Sequence, residues 1–218
     1  MKASTTGELY AAFMQEIKQR IGKVERIIVE VAHRPEGEEA SYLVELAHLQ
    51  IRFICELTAL ASLAAHNSYG IRKDLLKKWH ADIIFDELER INPHSFPVPV
   101  RATVGPDGVY QFQPAKERRL SRAHLKQIYG NCGRLLHRGV LKHTLQGRER
   151  TYDLNQVAAW LKQLYGLLAE HMILLPKEQQ VLMVNLIDGE GGRVQVAKAV
   201  SDGPFAVSPD FRLGHKDP

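Results

Sequence analysis

The sequence predicts a mainly α-helical protein, a helical bundle with an inserted β-hairpin and a short C-terminal β-hairpin. Three observations lead to this fold class. Apolar residues recur every three or four positions over long stretches, as they do on one face of an α-helix. Two pairs of short β-like runs flank turn sequences. The 218 residues, 44% hydrophobic and 25% charged, have the composition of a globular chain large enough to bury a core.

The apolar spacing predicts five helices. They are expected over about residues 8–31, 38–66, 72–91, 121–137 and 155–170. The second is apolar nearly all round, which predicts the buried central helix of the bundle. Ser121 is the expected N-cap of the fourth helix, and Gly139 follows its C-terminal end.

Two hairpins are expected outside the helices. The first is an insertion over about residues 96–114, where β-like runs flank the turn sequence Gly105-Pro-Asp-Gly108. The second pairs residues 181–187 with 193–200 across a glycine-rich turn.

The predicted domain organisation follows from these elements. Residues 1–175 form the bundle with its hairpin insertion, residues 176–201 form a small hairpin appendage packed on it, and residues 202–218 form a tail. No apolar run follows Met1, and the two cysteines make no CxxC pair, so we expect a cytoplasmic protein without a secretory signal or a disulfide scaffold.

Positive charge is concentrated in one part of the chain. Residues 116–150 carry ten Lys or Arg against two carboxylates, a local net charge of +8. The whole chain has a net charge of +4, so the remainder sums to −4. A concentrated basic patch indicates a polyanionic partner, and RNA is the first candidate.

The central helix has one polar stripe in an otherwise apolar sequence. Arg52 and Glu56 lie four residues apart on one helical face and can therefore pair with each other. Burial of either charge alone would be expensive. The pair has two interpretations. It is either a structural ion pair that fixes the helix in the bundle, or an anchor for an anion or for the helix that contains His137.

A second constellation lies on the predicted fourth helix. Arg134 and His137 lie nearly on one face, and Asn131 precedes them by one turn. This combination suits phosphodiester cleavage, because an Arg holds phosphate and a His moves protons near neutral pH. The alternative is a packing helix with a solvated basic edge.

Two glycines interrupt the same helix. Gly130 and Gly133 each weaken a helix by about 1 kcal/mol relative to Ala. Their presence is explained if another backbone, or a second copy of this helix, approaches closely. They are therefore expected to mark a contact site.

Two other groups of residues have both a structural and a functional interpretation. The basic residues around the fourth helix either contact phosphates or form a solvated charge run; they are Arg118, Arg119, Arg122, His124, Arg138 and Lys142. Trp79 and His80, in the predicted third helix, are expected to lie in the core and at its rim.

Several site types are absent from the sequence. It contains no phosphate-binding Gly-Lys loop, no GxSxG elbow, no HExxH motif and no dinucleotide fingerprint. Metal-ligand spacing is also missing. We therefore expect no metal and no cofactor.

The order of four segments resembles a known family. The segments are the long helix with Ile51–His66, Trp79-His-Ala-Asp82, Leu88-Glu-Arg-Ile-Asn-Pro93 and Tyr129-Gly-Asn-Cys-Gly-Arg-Leu-Leu-His137. Over about residues 8–200 this order resembles HEPN-type helical domains. It is most similar to a group of bacterial proteins with a small β segment after the last helix.

The resemblance implies a helical bundle that dimerises and, in many members, acts as a metal-independent ribonuclease. The family's signature is an Arg followed a few residues later by a His on the last bundle helix, at a site formed by two copies. Carried onto this chain, the His is His137. The Arg is expected at residues 130–132, which are Gly, Asn and Cys, so Arg134 is the substitute phosphate holder.

Three functional hypotheses remain open at this point. The first is an RNA-directed, metal-independent ribonuclease of a bacterial defence or toxin-type system. The second is a catalytically degenerate member that binds nucleic acid or a nucleotide through residues 116–150. The third is a protein–protein interaction module with a basic face. A homodimer without membrane association is expected under the first.

Overall fold

The structure, a computed structural model, describes residues 5–33, 38–104, 106, 110–118, 120–136, 153–187 and 192–200. Within them the protein is mainly helical with a small antiparallel sheet, which confirms the mainly α class. The helices are α1 (Thr6–His33), α2 (Glu38–Ala65), α3 (Ala81–Ile91), α4 (Arg122–Leu136) and α5 (Leu154–Leu168). The strands are β1 (Val98–Val104), β2 (Tyr110–Pro114), β3 (Glu170–Leu175), β4 (Gln180–Asn185) and β5 (Gln195–Val200).

Helix α1 buries the apolar stripe that predicted it. Tyr10, Met14, Ile17, Ile21 and Val24 recur at intervals of three or four residues, and all are buried in the main core. This spacing places them on one face of the helix. The helix packs along α2, which is buried on several sides.

The central position of α2 accounts for its apolar sequence. By length and hydropathy it is the one helix among the described residues that could cross a membrane. However, 67% of its apolar window is buried against the rest of the protein. Burial of this kind is typical of the central helix in a bundle.

Helix α3 is shorter than predicted. The apolar pattern indicated a helix over residues 72–91, but the α-helix begins at Ala81. The chain before it forms a short 3-10 turn, Leu75–Lys77, and then becomes extended at Lys78 and His80. As a result, Trp79 lies in an extended segment and not on a helix.

The two predicted hairpins belong to one five-stranded sheet, in the order β2-β1-β3-β4-β5. The strand that joins them, β3, was not predicted. It pairs with β1, where Pro99 lies opposite His171, and with β4, where Ile173 lies opposite Leu182. The boundary predicted at residue 175 therefore falls at the turn between two paired strands.

Helices α3 and α4 run antiparallel to each other. Near one end, Arg122 of α4 forms an ion pair with Glu89 of α3. One turn further along α4, Lys126 Nζ lies 2.6 Å from Asp86 Oδ1. Residue numbers fall along α3 as they rise along α4, so the start of α3 lies beside the C-terminal half of α4.

Candidate functional site

The structure brings together the polar stripe of α2 and the helix with the Asn131–Arg134 motif. Arg52 Nη2 donates a hydrogen bond to the Tyr129 hydroxyl at 2.8 Å, and the guanidinium carbon lies 4.2 Å from the centroid of the Tyr129 ring. Such stacking of Arg on an aromatic ring is a cation–π interaction. Arg52 is therefore a direct link between α2 and α4.

Arg52 also pairs with Glu56, as the four-residue spacing suggested. The Nε–Oε1 distance is 3.1 Å, and the two side chains are 19% and 12% exposed. Burial raises the pKa of the Glu56 carboxyl, and the Arg52 charge and a hydrogen bond with Tyr129 act against that rise. Burial, followed by the Glu56 charge, raises the pKa of Tyr129 to about 12. At neutral pH the tyrosine is thus protonated and donates to Glu56.

The backbone of α4 at Gly133 also lies close to Arg52. A Cβ atom at residue 133 would lie 2.5 Å from Arg52 Nη1, which is closer than such atoms pack. The close approach predicted at this glycine therefore exists, but its partner is a side chain of α2 and not another backbone. Gly130 differs, because a Cβ there would meet nothing within 4 Å.

The two glycines give a matched pair for a stability test. We expect Gly130→Ala to raise the free energy of unfolding by about 0.5–1 kcal/mol, because Ala favours the helix and fits the open space. Gly133→Ala should give no such gain, because its methyl group displaces the Arg52 guanidinium from Tyr129 and Glu56. Urea denaturation of both variants measures the difference. Equal stabilisation by both would contradict the packing described at Gly133.

The predicted catalytic residues lie at the C-terminal end of α4. Arg134 is exposed, and its guanidinium donates a hydrogen bond to the Asn131 side-chain oxygen. None of the described carboxylates lies within ion-pair distance of Arg134. His137 lies outside the described residues, so the structure places Arg134 and Asn131 together but says nothing of the histidine.

The predicted nucleic-acid contacts are placed unevenly. Arg118 is partly buried, and its Nη1 lies 3.3 Å from a Glu170 carboxylate oxygen. Arg122 is buried, pairs with Glu89 and stacks 5.7 Å from the Phe96 ring centroid. This placement argues against Arg122 as a phosphate contact, because its charge is directed to α3 and the core. Arg119, Arg138 and Lys142 lie outside the described residues.

Trp79 and His80 lie at the surface before α3, stacked on each other. Trp79 is 52% exposed, so the expected core position is wrong. His80 stacks on it, with ring centroids 3.8 Å apart and planes at 22°. His80 is the residue directly before the first residue of α3. The sequence signal for this exposure was the Lys77-Lys78 pair directly before Trp79, since lysines are rarely buried.

Two buried polar atoms near the start of α3 have no hydrogen-bond partner among the described residues. They are His80 Nδ1 and Asp82 Oδ1. The Arg122–Glu89 and Lys126–Asp86 ion pairs set an antiparallel register that, continued by one turn, brings Asp82 of α3 level with Tyr129 of α4. We define the junction site as Arg52, Glu56, Tyr129, His80 and Asp82. It combines a guanidinium, a hydroxyl, an imidazole and two carboxylates between three helices.

A separate cavity of about 450 Å³ lies on the sheet. Its described lining includes Val100, Phe112, Met183 and Glu170, and none of the residues predicted from the sequence as a site. Among the described residues, no group of three or more His, Cys, Asp or Glu is placed to hold a metal ion. The predicted residues and the junction site therefore remain the candidate functional region.

Comparison of the chain with protein-family models, curated proteins and solved structures finds no match.

Proposed function

We propose that this protein is an RNA-associated, HEPN-like helical bundle that acts as a metal-independent ribonuclease. The observation that carries the proposal is the exposed Arg134 and its hydrogen bond with the partly buried Asn131, at the C-terminal end of α4. It stands within the stretch of residues 116–150 that has a net charge of +8. An exposed guanidinium without a carboxylate partner among the described residues suits a phosphate group.

The proposed roles follow from the chemistry of the side chains. Arg134 holds the phosphate that is to be cleaved, and Asn131 orients the guanidinium through their hydrogen bond. His137, one helical turn later in the sequence, transfers protons to and from the reacting oxygens. We propose that the protein acts in a bacterial defence or toxin-type system, as the family resemblance implies.

A homodimer is part of the proposal, because the resemblance implies a site made by two copies of this helix. Sedimentation over a range of concentrations tests the point. A monomer at every concentration would make a composite site untenable.

A second candidate function is nucleic-acid or nucleotide binding without cleavage. This function is favoured because residues 130–132 are Gly, Asn and Cys, where the family signature has its Arg. Cys132 is buried, and burial raises its pKa to about 12, so the thiol is neither exposed nor charged. A protein–protein role for the basic face is the remaining alternative.

Cleavage of a mixed pool of single-stranded and structured RNA in excess EDTA tests the proposed function. We expect cleavage by the wild type and loss of cleavage in His137→Ala and Arg134→Ala. Arg90→Ala is the matched control, because Arg90 is an exposed arginine of α3 paired with Glu87. Intact RNA with a steeply salt-dependent affinity would select the binding function instead. Indifference to RNA would select the protein-partner alternative.

A further inference from the structure

The segment before α3 has an exposed surface of aromatic and basic side chains. Besides Trp79, the side chains of Leu76 and the lysines at residues 73, 77 and 78 are exposed. The one carboxylate in the segment, Asp74, is bound by Arg72, whose Nε lies 2.9 Å from Asp74 Oδ1. None of the described carboxylates lies within ion-pair distance of the three lysines.

The geometry of Trp79 leaves one face of its ring available. His80 covers the other face at a centroid distance of 3.8 Å. The backbone of His80 is fixed at the start of α3, because its carbonyl oxygen accepts a hydrogen bond from Ile84 N at 3.1 Å. Because Trp79 is 52% exposed while His80 stacks on one face of its ring, the opposite face is the one on which a planar group can stack.

This surface lies at the same end of the helix pair as the proposed active site. The antiparallel register of α3 and α4, set by the Arg122–Glu89 and Lys126–Asp86 pairs, brings Asp82 level with Tyr129 when it is continued by one turn. Trp79 precedes Asp82 by three residues, and Arg134 follows Tyr129 by five. Both therefore lie toward the C-terminal end of α4.

We propose that Trp79 is a stacking platform for an unpaired base of single-stranded nucleic acid, with the neighbouring lysines on the flanking phosphates. The inference rests on the proposed function and names a subsite for the same ligand. The charge of the segment favours this occupant, because aromatic faces interleaved with basic groups bind bases and phosphates together. An acidic protein or an anionic membrane would be drawn to the lysines alone and would not require an unpaired base.

Trp79 fluorescence reports the stacking directly. The chain has two tryptophans, and Trp160 is buried at 6% exposure, so Trp160→Phe leaves Trp79 as the only tryptophan, which is excited selectively beside the tyrosines. We expect a short 2′-O-methyl oligoadenylate, the uncleavable single strand of this and the following measurements, to quench this emission, and a vesicle with anionic lipid to leave it unchanged. A blue shift with vesicles and no quenching by the oligonucleotide would overturn the proposal in favour of a membrane surface.

Affinity measurements separate this proposal from the proposed function. We expect Trp79→Leu to weaken binding of the single strand by about tenfold or more, because base–aromatic stacking contributes on that scale. Trp79→Phe should keep much of the wild-type affinity for the single strand. The affinity for an RNA duplex of the same length should not change in either variant. Tyr42→Leu, which removes another exposed aromatic, is the matched control.

Each outcome has a defined meaning. Equal single-strand affinity of the wild type and Trp79→Leu, with Arg134→Ala still weakened, would overturn the stacking site and leave the proposed function standing. Absence of any binding by the wild type would overturn both. Equal binding of single-stranded DNA would support the platform while counting against an RNA-specific function.

Discussion

Acidification from pH 7 to pH 4.5 is expected to lower the free energy of unfolding by several kcal/mol. Two fully buried histidines, His66 and His171, cause the effect. Burial lowers the pKa of each to about 4, because the charged imidazolium is poorly solvated there. An unfolded chain exposes both rings, which then titrate near the ordinary histidine value.

The hydrogen bonds of His66 require the neutral ring, and those of His171 are satisfied by it. His66 Nδ1 donates to the Ser62 carbonyl at 2.7 Å, so Nε2 accepts from Asn92 Nδ2 at 2.8 Å. In the same way, His171 Nδ1 donates to Leu168 O, and Nε2 accepts from the Tyr10 hydroxyl. A proton added at His66 Nε2 would face the amide hydrogen of Asn92.

The direction of the pH effect follows from proton binding. Between the native pKa near 4 and the ordinary value near 6.5, the unfolded state binds more protons than the native state. Stability is therefore greatest above this window and falls as the pH drops through it. Each histidine contributes up to about 3 kcal/mol, since one pKa unit corresponds to about 1.4 kcal/mol. Glu56, whose native pKa is raised, acts in the opposite direction.

Guanidinium denaturation at several pH values measures this dependence. His171→Gln should flatten it, whereas His33→Gln should not, because His33 is exposed at the end of α1. If His171→Gln fails to fold, proton uptake on unfolding of the wild type can be measured by calorimetry in buffers of different ionisation enthalpy. A pH-independent stability between 4.5 and 6.5 would contradict neutral burial of the two rings.

Four of the five helices were predicted nearly to their observed bounds among the described residues, because their signal is local, whereas α3 begins nine residues later than predicted. The apolar stripe of α1 from Tyr10 onward and the Ser121 cap of α4 can each be recognised from residues that are close together in the sequence. Ser121 Oγ indeed accepts a hydrogen bond from His124 N at 3.1 Å. Such periodicities and caps depend on neighbours three or four residues away.

The strand β3 could not be predicted in this way. Its residues 172–175 are uniformly apolar, and a short run of that kind fits a buried helix as well as a buried strand. It is a strand because it lies between β1, about seventy residues earlier in the chain, and β4. The decisive partners are remote in sequence, so no local pattern contains them.

Charge patterns show which residues are basic but not what they face. The run that contains Arg118 and Arg122 looked uniform, yet Arg122 is buried against Glu89 and Phe96. In the same way, the partner of Gly133 is Arg52, which lies on a different helix. The spacing of Arg52 and Glu56 predicted their pair, but their contact with Tyr129 required the crossing of α2 and α4.

Replacement of Arg52 by Met is expected to destabilise the protein by about 2–4 kcal/mol. The change leaves the Glu56 carboxylate largely buried without its cation, and loss of one partner of a buried pair costs up to about 5 kcal/mol. We place the value lower because the two side chains retain 19% and 12% exposure. The double variant Arg52→Met/Glu56→Met should recover most of the loss, because it removes both charges and retains apolar volume.

Arg90→Met is the control that shows whether the burial of an ion pair or the distance between its atoms determines the loss of stability. The Arg90–Glu87 pair is closer, at 2.6 Å against 3.1 Å for Arg52–Glu56, but Arg90 is 73% exposed. Solvent-exposed pairs contribute about 0–1 kcal/mol, so this variant should be nearly neutral despite its shorter contact.

Thermal unfolding of the three variants and their RNA affinity, measured together, decide the role of Arg52. A large loss of stability with unchanged RNA affinity assigns Arg52 to the framework that holds α4. Unchanged stability with weakened RNA binding would instead make it a phosphate contact.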